Sequence, residues 1–112
     1  MASFSRNEIV LVRYPFADFP GSKVRPAVVV SARHPSRDLF VVPLTSRTAL
    51  LSLGEYVLSE WSNAGLNVPT AVKNGVYTIH ESLIIKVIGV LSGRDASALE
   101  GSLRIWFGLD NT

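Results

Sequence analysis

The sequence predicts a small, strongly bent antiparallel β-barrel of the SH3-like kind, followed by a single C-terminal α-helix. Three observations predict it. Valine- and isoleucine-rich runs recur along the chain up to residue 92, each too short for a helix. Polar segments holding Pro, Gly, Ser or Asp separate these runs, as turns between strands require. Only residues 92–109 show apolar residues at helical spacing. Several short strands and then one helix are the pattern of a barrel with a terminal cover.

The elements follow in order. "EIVLVRY" (8–14) is a β-branched run bounded by Asn7 and Pro15 and reads as the first strand. "RPAVVVS" (25–31) and "LFVVPLT" (39–45) read as the second and third. "GEYVLS" (54–59), "TAVK" (70–73) and "KVIGVLS" (86–92) are shorter strand candidates. Between them "SEWSNAGL" predicts a brief helix that Ser59 caps and Gly65 ends. In "SGRDASALEGSLRIWFGL", Ser92 precedes Asp95 by three residues, a near capping box with an acidic residue in the first turn. Leu99, Leu103 and Trp106 form one apolar stripe of this helix, and Ala98, Ile105 and Leu109 form another beside it. So wide an apolar arc predicts burial on two sides, against the sheet and against a second subunit. Gly101 costs about 1 kcal/mol in mid-helix relative to Ala, and a close backbone contact is expected there in compensation.

The length of 112 residues predicts one domain with a single modest core. Apolar residues make up 47% and charged residues 18%, a globular rather than a disordered composition. No apolar run approaches the roughly 18 residues of a membrane span, and "MASFSRNE" lacks the regions of a signal peptide, so a cytoplasmic protein is expected. With no cysteine and only His34 and His80, disulfides and thiolate metal sites are excluded and a histidine-rich metal centre is not expected; no cofactor is implied. Residues 1–56 carry seven Lys/Arg against four Asp/Glu, whereas residues 57–112 carry four against five. The basic half could meet a polyanion or serve only as solubilising charge.

The stretch "SKVRPAVVVSARHPSRDLFVVPLTS" (22–46) raises the functional question, because two buried-looking strands carry polar groups at the ends away from their turn. With "ARHPSRD" as the turn, paired residues have numbers summing to about 70. Arg25 then lies opposite Thr45, with Lys23 and Arg47 just beyond and Ser46 beside them. A guanidinium fork and a hydroxyl of restricted χ1 at one end of a hairpin suit a phosphodiester. The loop "PFADFPGSK" could add backbone amides near Gly21 and Ser22. Solvated strand ends would look the same.

Taken in order, "NEIVLVRYPFADFPGSKVRPAVVVS", "VVPLTS", "GEYVL", "AGLNVPTAVK", "SLIIKVIGVLS" and the closing helix resemble the MazF/PemK family of toxin–antitoxin toxins, over residues 7–109. The resemblance implies an SH3-like barrel with a C-terminal helix, usually a homodimer, and a cognate antitoxin as partner. It implies a metal-independent endoribonuclease (an mRNA interferase) that cuts single-stranded RNA at short sequences. The 2′-hydroxyl attacks the adjacent phosphate, leaving a 2′,3′-cyclic phosphate and a 5′-hydroxyl. By motif, the Arg of the family's "RP" is Arg25, the Thr after the third strand is Thr45, and the Ser of its "GS" loop is Ser22. These groups would stabilise charge growing on phosphorus. An arginine is a poor proton donor near neutrality, which favours electrostatic clamping over general acid catalysis.

The chain departs from the family pattern at three positions. Tyr77 stands where many members carry Arg, His80 where they carry Asp, and Asn74 where some use an Asp as base. His80 could replace the carboxylate as a proton acceptor or be a surface histidine. Phe16 and Phe19 could stack on splayed RNA bases or plug the barrel. Trp61 and Trp106 read as core or interface residues. Two other functions stay open: a DNA gyrase poison of the CcdB type, which shares the fold and binds through its C-terminal region, and a catalytically inactive binding member of the fold.

Overall fold

The computed structural model describes residues 4–14, 23–32 and 34–109. Ser22, Phe16 and Phe19 lie outside the described residues, as does Gly21. The described residues form seven strands: β1 (Glu8–Tyr14), β2 (Lys23–Val29), β3 (Asp38–Thr45), β4 (Tyr56–Val57), β5 (Ala71–Val72), β6 (Tyr77–His80) and β7 (Ile84–Val90). One helix, α1 (Gly93–Phe107), closes the chain. The strands run in the order β4-β5-β3-β2-β1-β7, with β6 on the edge of β3 that β5 also uses. All pairings are antiparallel, and the bent sheet stays open rather than closing into a full barrel.

The β-branched runs form strands because both of their faces are covered. One cluster joins Ile9, Val28, Val42, Leu44, Leu58, Val72 and Leu99, with Leu103, Trp61 and Trp106 packed against it. The other joins Val10, Val12, Tyr14, Ala27, Val29, Leu39, Val41 and Ile79. The expected single core is thus two clusters on opposite faces of the sheet, fed by alternate residues of the same strands. "YTIH" escapes a sequence reading because only Ile79 is buried in it, so no alternation is visible.

The brief helix at 59–66 shrinks to a 3-10 turn, Ser62–Ala64, led by Trp61 without a side-chain cap and ended by Gly65 at φ 89°. Gly65 and Gly89 let two backbones meet: a Cβ on Gly89 would stand 1.8 Å from the Ala64 carbonyl oxygen. Ser59, predicted as the cap, instead donates its hydroxyl to Asp95 Oδ1 at 3.0 Å.

Asp95 holds α1 to the sheet. Ser92 caps the helix as expected, accepting from the Asp95 amide at 3.1 Å. The Asp95 carboxylate leaves the helix and accepts from the Ser59 amide at 2.9 Å and the Glu60 amide at 3.1 Å. Tyr56 Oη donates to the Asp95 carbonyl, Ser102 Oγ to the Gly54 carbonyl, and Trp106 Nε1 to the Leu53 carbonyl. The 53–60 segment is therefore stitched along one side of α1. The second stripe is open: Ile105 and Leu109 are 51% and 65% exposed, and Phe107 joins them at 57%.

Gly101 does not support its expected role, since a Cβ there would meet nothing within 4 Å. Gly101→Ala should therefore stabilise the protein by about 0.5–1 kcal/mol, read as a higher urea midpoint at unchanged m-value. Asp95→Ala should destabilise it by about 2–4 kcal/mol, because the Ser59 and Glu60 amides lose a charged acceptor in a closed site.

Candidate nucleic-acid site at the β2–β3 end

The register of β2 and β3 sets the geometry. Ala27 pairs with Pro43, Val28 with Val42 and Val29 with Val41, each pair summing to the expected 70. The pairing ends there, and Arg25 and Thr45 each lie two residues beyond the last pair, Ala27 and Pro43. On its other side β2 sets Arg25 beside Val12 of β1 and Lys23 beside Tyr14. Thr45 pairs onward with Ala71 of β5, and Ala71 with Val57 of β4. Two short rows therefore reach this end of the sheet, Val12 with Arg25, and Thr45 with Ala71 and Val57. By strand alternation both belong to the face opposite Val28, Val42, Leu44 and Val72, and so opposite α1.

The donors on this face are accessible. Arg25 is exposed and folds Nη1 back onto the Val24 carbonyl at 2.8 Å, a contact that a phosphate could replace. Thr45 is half-buried, and its Oγ1 accepts the Arg47 amide at 3.1 Å, which leaves the hydroxyl hydrogen available to donate outward. Ser46 and Arg47 continue as exposed residues past the end of β3. Lys73 was not anticipated. Its amide donates to the Pro43 carbonyl at 3.0 Å, which sets this exposed residue level with Pro43, two residues before Thr45 on β3. Its position after "TAV" gave the only signal available, a strand-end lysine like any other.

Two further groups frame the site. Tyr14 and Tyr77 meet edge to face with ring centroids 6.1 Å apart, so Tyr77 closes the apolar cluster beneath this face. Burial, reinforced by Tyr77, pushes the Tyr14 phenol up to about 12, so it stays neutral at any ordinary pH. Glu55 was also missed. Its carboxylate accepts the Asn74 amide at 2.8 Å and the Ser52 amide at 2.7 Å, and these bonds hold it below the usual carboxylate range. Asn74 thus contributes its backbone to a clamp between the 46–55 and 73–76 loops.

His80 is not brought to this site. It pairs with Asp38 at the start of β3, seven residues from Thr45 and so about 23 Å away along the strand at 3.3 Å per residue. Its Nδ1 accepts the Ser82 amide at 3.1 Å and caps the turn Glu81–Leu83. The Asn74 and Tyr77 positions do border the site, the first through Glu55 and the second through Tyr14. Among the described residues no group of three His, Cys, Asp or Glu could hold a metal ion. No helix among them is long and apolar enough to cross a membrane.

The Glu55 clamp has a pH signature. A carboxylate whose folded pKa is depressed adds stability above its unfolded value of about 4.3, and this is lost as pH falls through the folded value. Glu55→Gln, which cannot accept from both amides as a carboxylate does, should be less stable than the parent at pH 7. The gap should close on acidification, checked by urea denaturation from pH 7 to pH 3.

A family model described as PemK-like, MazF-like toxin of type II toxin–antitoxin system matches residues 5–107. No curated protein matches the chain. The fold superposes on the Mycobacterium tuberculosis toxin MazF-mt6 with TM-score 0.74 at 24% identity, covering 93% of this chain and 99% of that one. An endoribonuclease in complex with its cognate antitoxin, from a mycobacterial species, superposes with TM-score 0.75 at 16% identity over 96% and 97%. A further mycobacterial endoribonuclease gives 0.76 at 14% over 100% and 98%. At such identities the superpositions speak for the fold, an antiparallel sheet with a C-terminal helix. With the family model matching nearly the whole length, the chain belongs to the PemK-like, MazF-like toxins of type II toxin–antitoxin systems.

Proposed function

We propose that the protein is a cytoplasmic, metal-independent endoribonuclease of a toxin–antitoxin pair, acting on single-stranded RNA. The observation that carries the reading is the β2–β3 register, whose last pair, Ala27 and Pro43, lies two residues from both Arg25 and Thr45, with the Lys73 amide bonded to Pro43. Membership of the toxin family supports it independently. In this reading a phosphodiester rests between the Arg25 guanidinium and the Thr45 hydroxyl. The 2′-oxygen forms a bond to phosphorus while the bond from phosphorus to the 5′-oxygen breaks. The proton leaves the 2′-hydroxyl through water at the open face, and the 5′-oxygen takes up a proton as it departs. A cyclic 2′,3′-phosphate and a 5′-hydroxyl result.

The residues supply mainly charge stabilisation. Fixed cations and hydroxyls aimed at developing negative charge lower the barrier most where water is partly displaced. Glu55, already accepting two amides, is a weak base, and His80 is distant, so neither takes the 2′-proton in this scheme. Ser22, Phe16 and Phe19 remain assigned to the binding loop by family motif and sequence alone. Lys23, Ser46 and Arg47 would extend the cationic and hydroxyl track along the strand, with Asn74 and Tyr77 at its border. The natural inhibitor is a cognate antitoxin whose extended segment covers this track, and the toxin acts as a homodimer.

The exposed Ile105, Phe107 and Leu109 at the end of α1 favour one competing reading, a gyrase poison that binds through its C-terminal region. A single experiment separates the two. Purified protein is incubated with a mixed-sequence RNA and its all-deoxy copy in EDTA, and in parallel with gyrase and plasmid DNA. Cleavage of RNA alone, with cyclic-phosphate ends, is expected; intact RNA with trapped gyrase–DNA complexes would replace this reading with the other. Arg25→Ala should lower the cleavage rate by about 10²–10³-fold and leave the thermal midpoint nearly unchanged. A variant that cuts at the parental rate would remove Arg25 from the mechanism.

A further inference from the structure

At the other end of β3 lies a cleft of about 460 Å³ that the cleavage chemistry does not use. Its size suits one nucleotide-sized ligand. Arg37, His80 and Lys86 line it on the polar side, and Phe4, Ile84 and Ile85 on the apolar side.

Arg37 is unusually well fixed for a surface arginine. Its backbone sits at φ 68°, with its amide donating to the His34 carbonyl at 2.8 Å and its carbonyl accepting from the Glu81 amide at 2.9 Å. Its Nε and Nη2 both reach Glu81 Oε1 at 2.6 Å, a carboxylate whose side chain is 7% exposed while that of Arg37 is 51% exposed. Nη1 has no hydrogen bond among the described residues. A buried carboxylate that orients an arginine from behind presents the rest of the guanidinium to solvent at little entropic cost.

His80 is oriented in the same way. Its Nδ1 accepts the Ser82 amide, so the ring hydrogen of the neutral imidazole is on Nε2, which is a donor. Lys86 adds a second cation. Glu81 offsets Arg37, so the lining keeps a net positive charge from Lys86 and donors from Arg37 and His80. Donors of this kind facing an apolar wall match a phosphate attached to a base, rather than a bare anion.

We propose that this cleft is a second nucleotide subsite, which holds the phosphate and base of an RNA nucleotide remote from the scissile bond. Its natural occupant rests on the ribonuclease reading. About 23 Å of β3 separates it from Thr45, so it engages the strand several nucleotides from the cut and anchors longer RNAs better than short ones.

The test uses the intact, ¹⁵N-labelled protein and three probes: adenosine 5′-monophosphate, adenosine and inorganic phosphate. The monophosphate should shift the Ser82 and Lys86 amide resonances and the Arg37 Nε–H saturably. Adenosine and phosphate alone should each bind about tenfold or more weakly, the loss expected for removing one partner set. Lys86→Glu, at an exposed position, should weaken monophosphate binding by about tenfold with an unchanged unfolding curve. Silence of these resonances toward the monophosphate overturns the proposal even in a protein that cuts RNA. Equal affinity for inorganic phosphate also overturns it, leaving a simple anion site. A protein that binds the monophosphate here yet cuts no RNA keeps this subsite and loses only the ribonuclease reading.

Discussion

The structure depends on β3 having hydrogen-bonded partners on both edges. On one edge it pairs with β2 through Val41, Val42 and Pro43. On the other it is shared, with β6 taking Asp38–Val41 and β5 taking Leu44 and Thr45. The split falls at Val42–Pro43, where a proline has no N–H to offer and only its carbonyl is bonded, by the Lys73 amide. The segment from Lys73 to Val76 joins β5 to β6 across this gap. A strand held on both edges cannot slip register without moving every side chain to the wrong face. The ends of β2 and β3 that carry Arg25 and Thr45 extend from that fixed register.

The two apolar clusters divide the work of holding the sheet. The cluster beneath α1 is tied down by polar groups as well as by area, because Asp95 is buried and takes three hydrogen bonds from Ser59 and Glu60. Such a charge is tolerable inside only when its acceptors are filled. The cluster on the opposite face ends at Tyr14 and Tyr77, and from there the surface turns from apolar to cationic. The change is abrupt: Val12 is fully buried and its neighbour Arg25 across the strand pair is exposed. A rigid apolar base with charge at its rim is how a small domain can aim a guanidinium without burying it.

Glu55 and Glu81 are both engaged inside the fold, Glu55 by two loop amides and Glu81 by Arg37. Only Glu81 has its charge offset by a cation, whereas the amides hold Glu55 in its anionic form. A chain with a formal charge of only +2 can in this way present locally cationic surfaces. Composition reports the total and is silent about which acids are already occupied.

Much of the fold was legible because its strands are short, β-branched and separated by turn residues, patterns set by local sterics and burial. The hairpin sum of 70 followed from turn placement alone, and it holds for the three pairs from Val29 with Val41 to Ala27 with Pro43. Ser92 as a helix cap and Gly65 as a stop were local as well. The misses share a cause: they are contacts between residues far apart in the chain. Asp95 left its capping box for Ser59, 36 residues away. Glu55 found Asn74, 19 residues on, and Glu81 found Arg37 across 44. His80 went to the wrong end because β6, with one buried residue, carried no periodic signal. By itself, then, the sequence determined the strands other than β6, the hairpin and the family, since these follow from neighbours along the chain. Which acids are neutralised, which end each histidine occupies and where the second cleft opens were decided by the tertiary structure. Only the folded sheet brings those distant groups within hydrogen-bonding range.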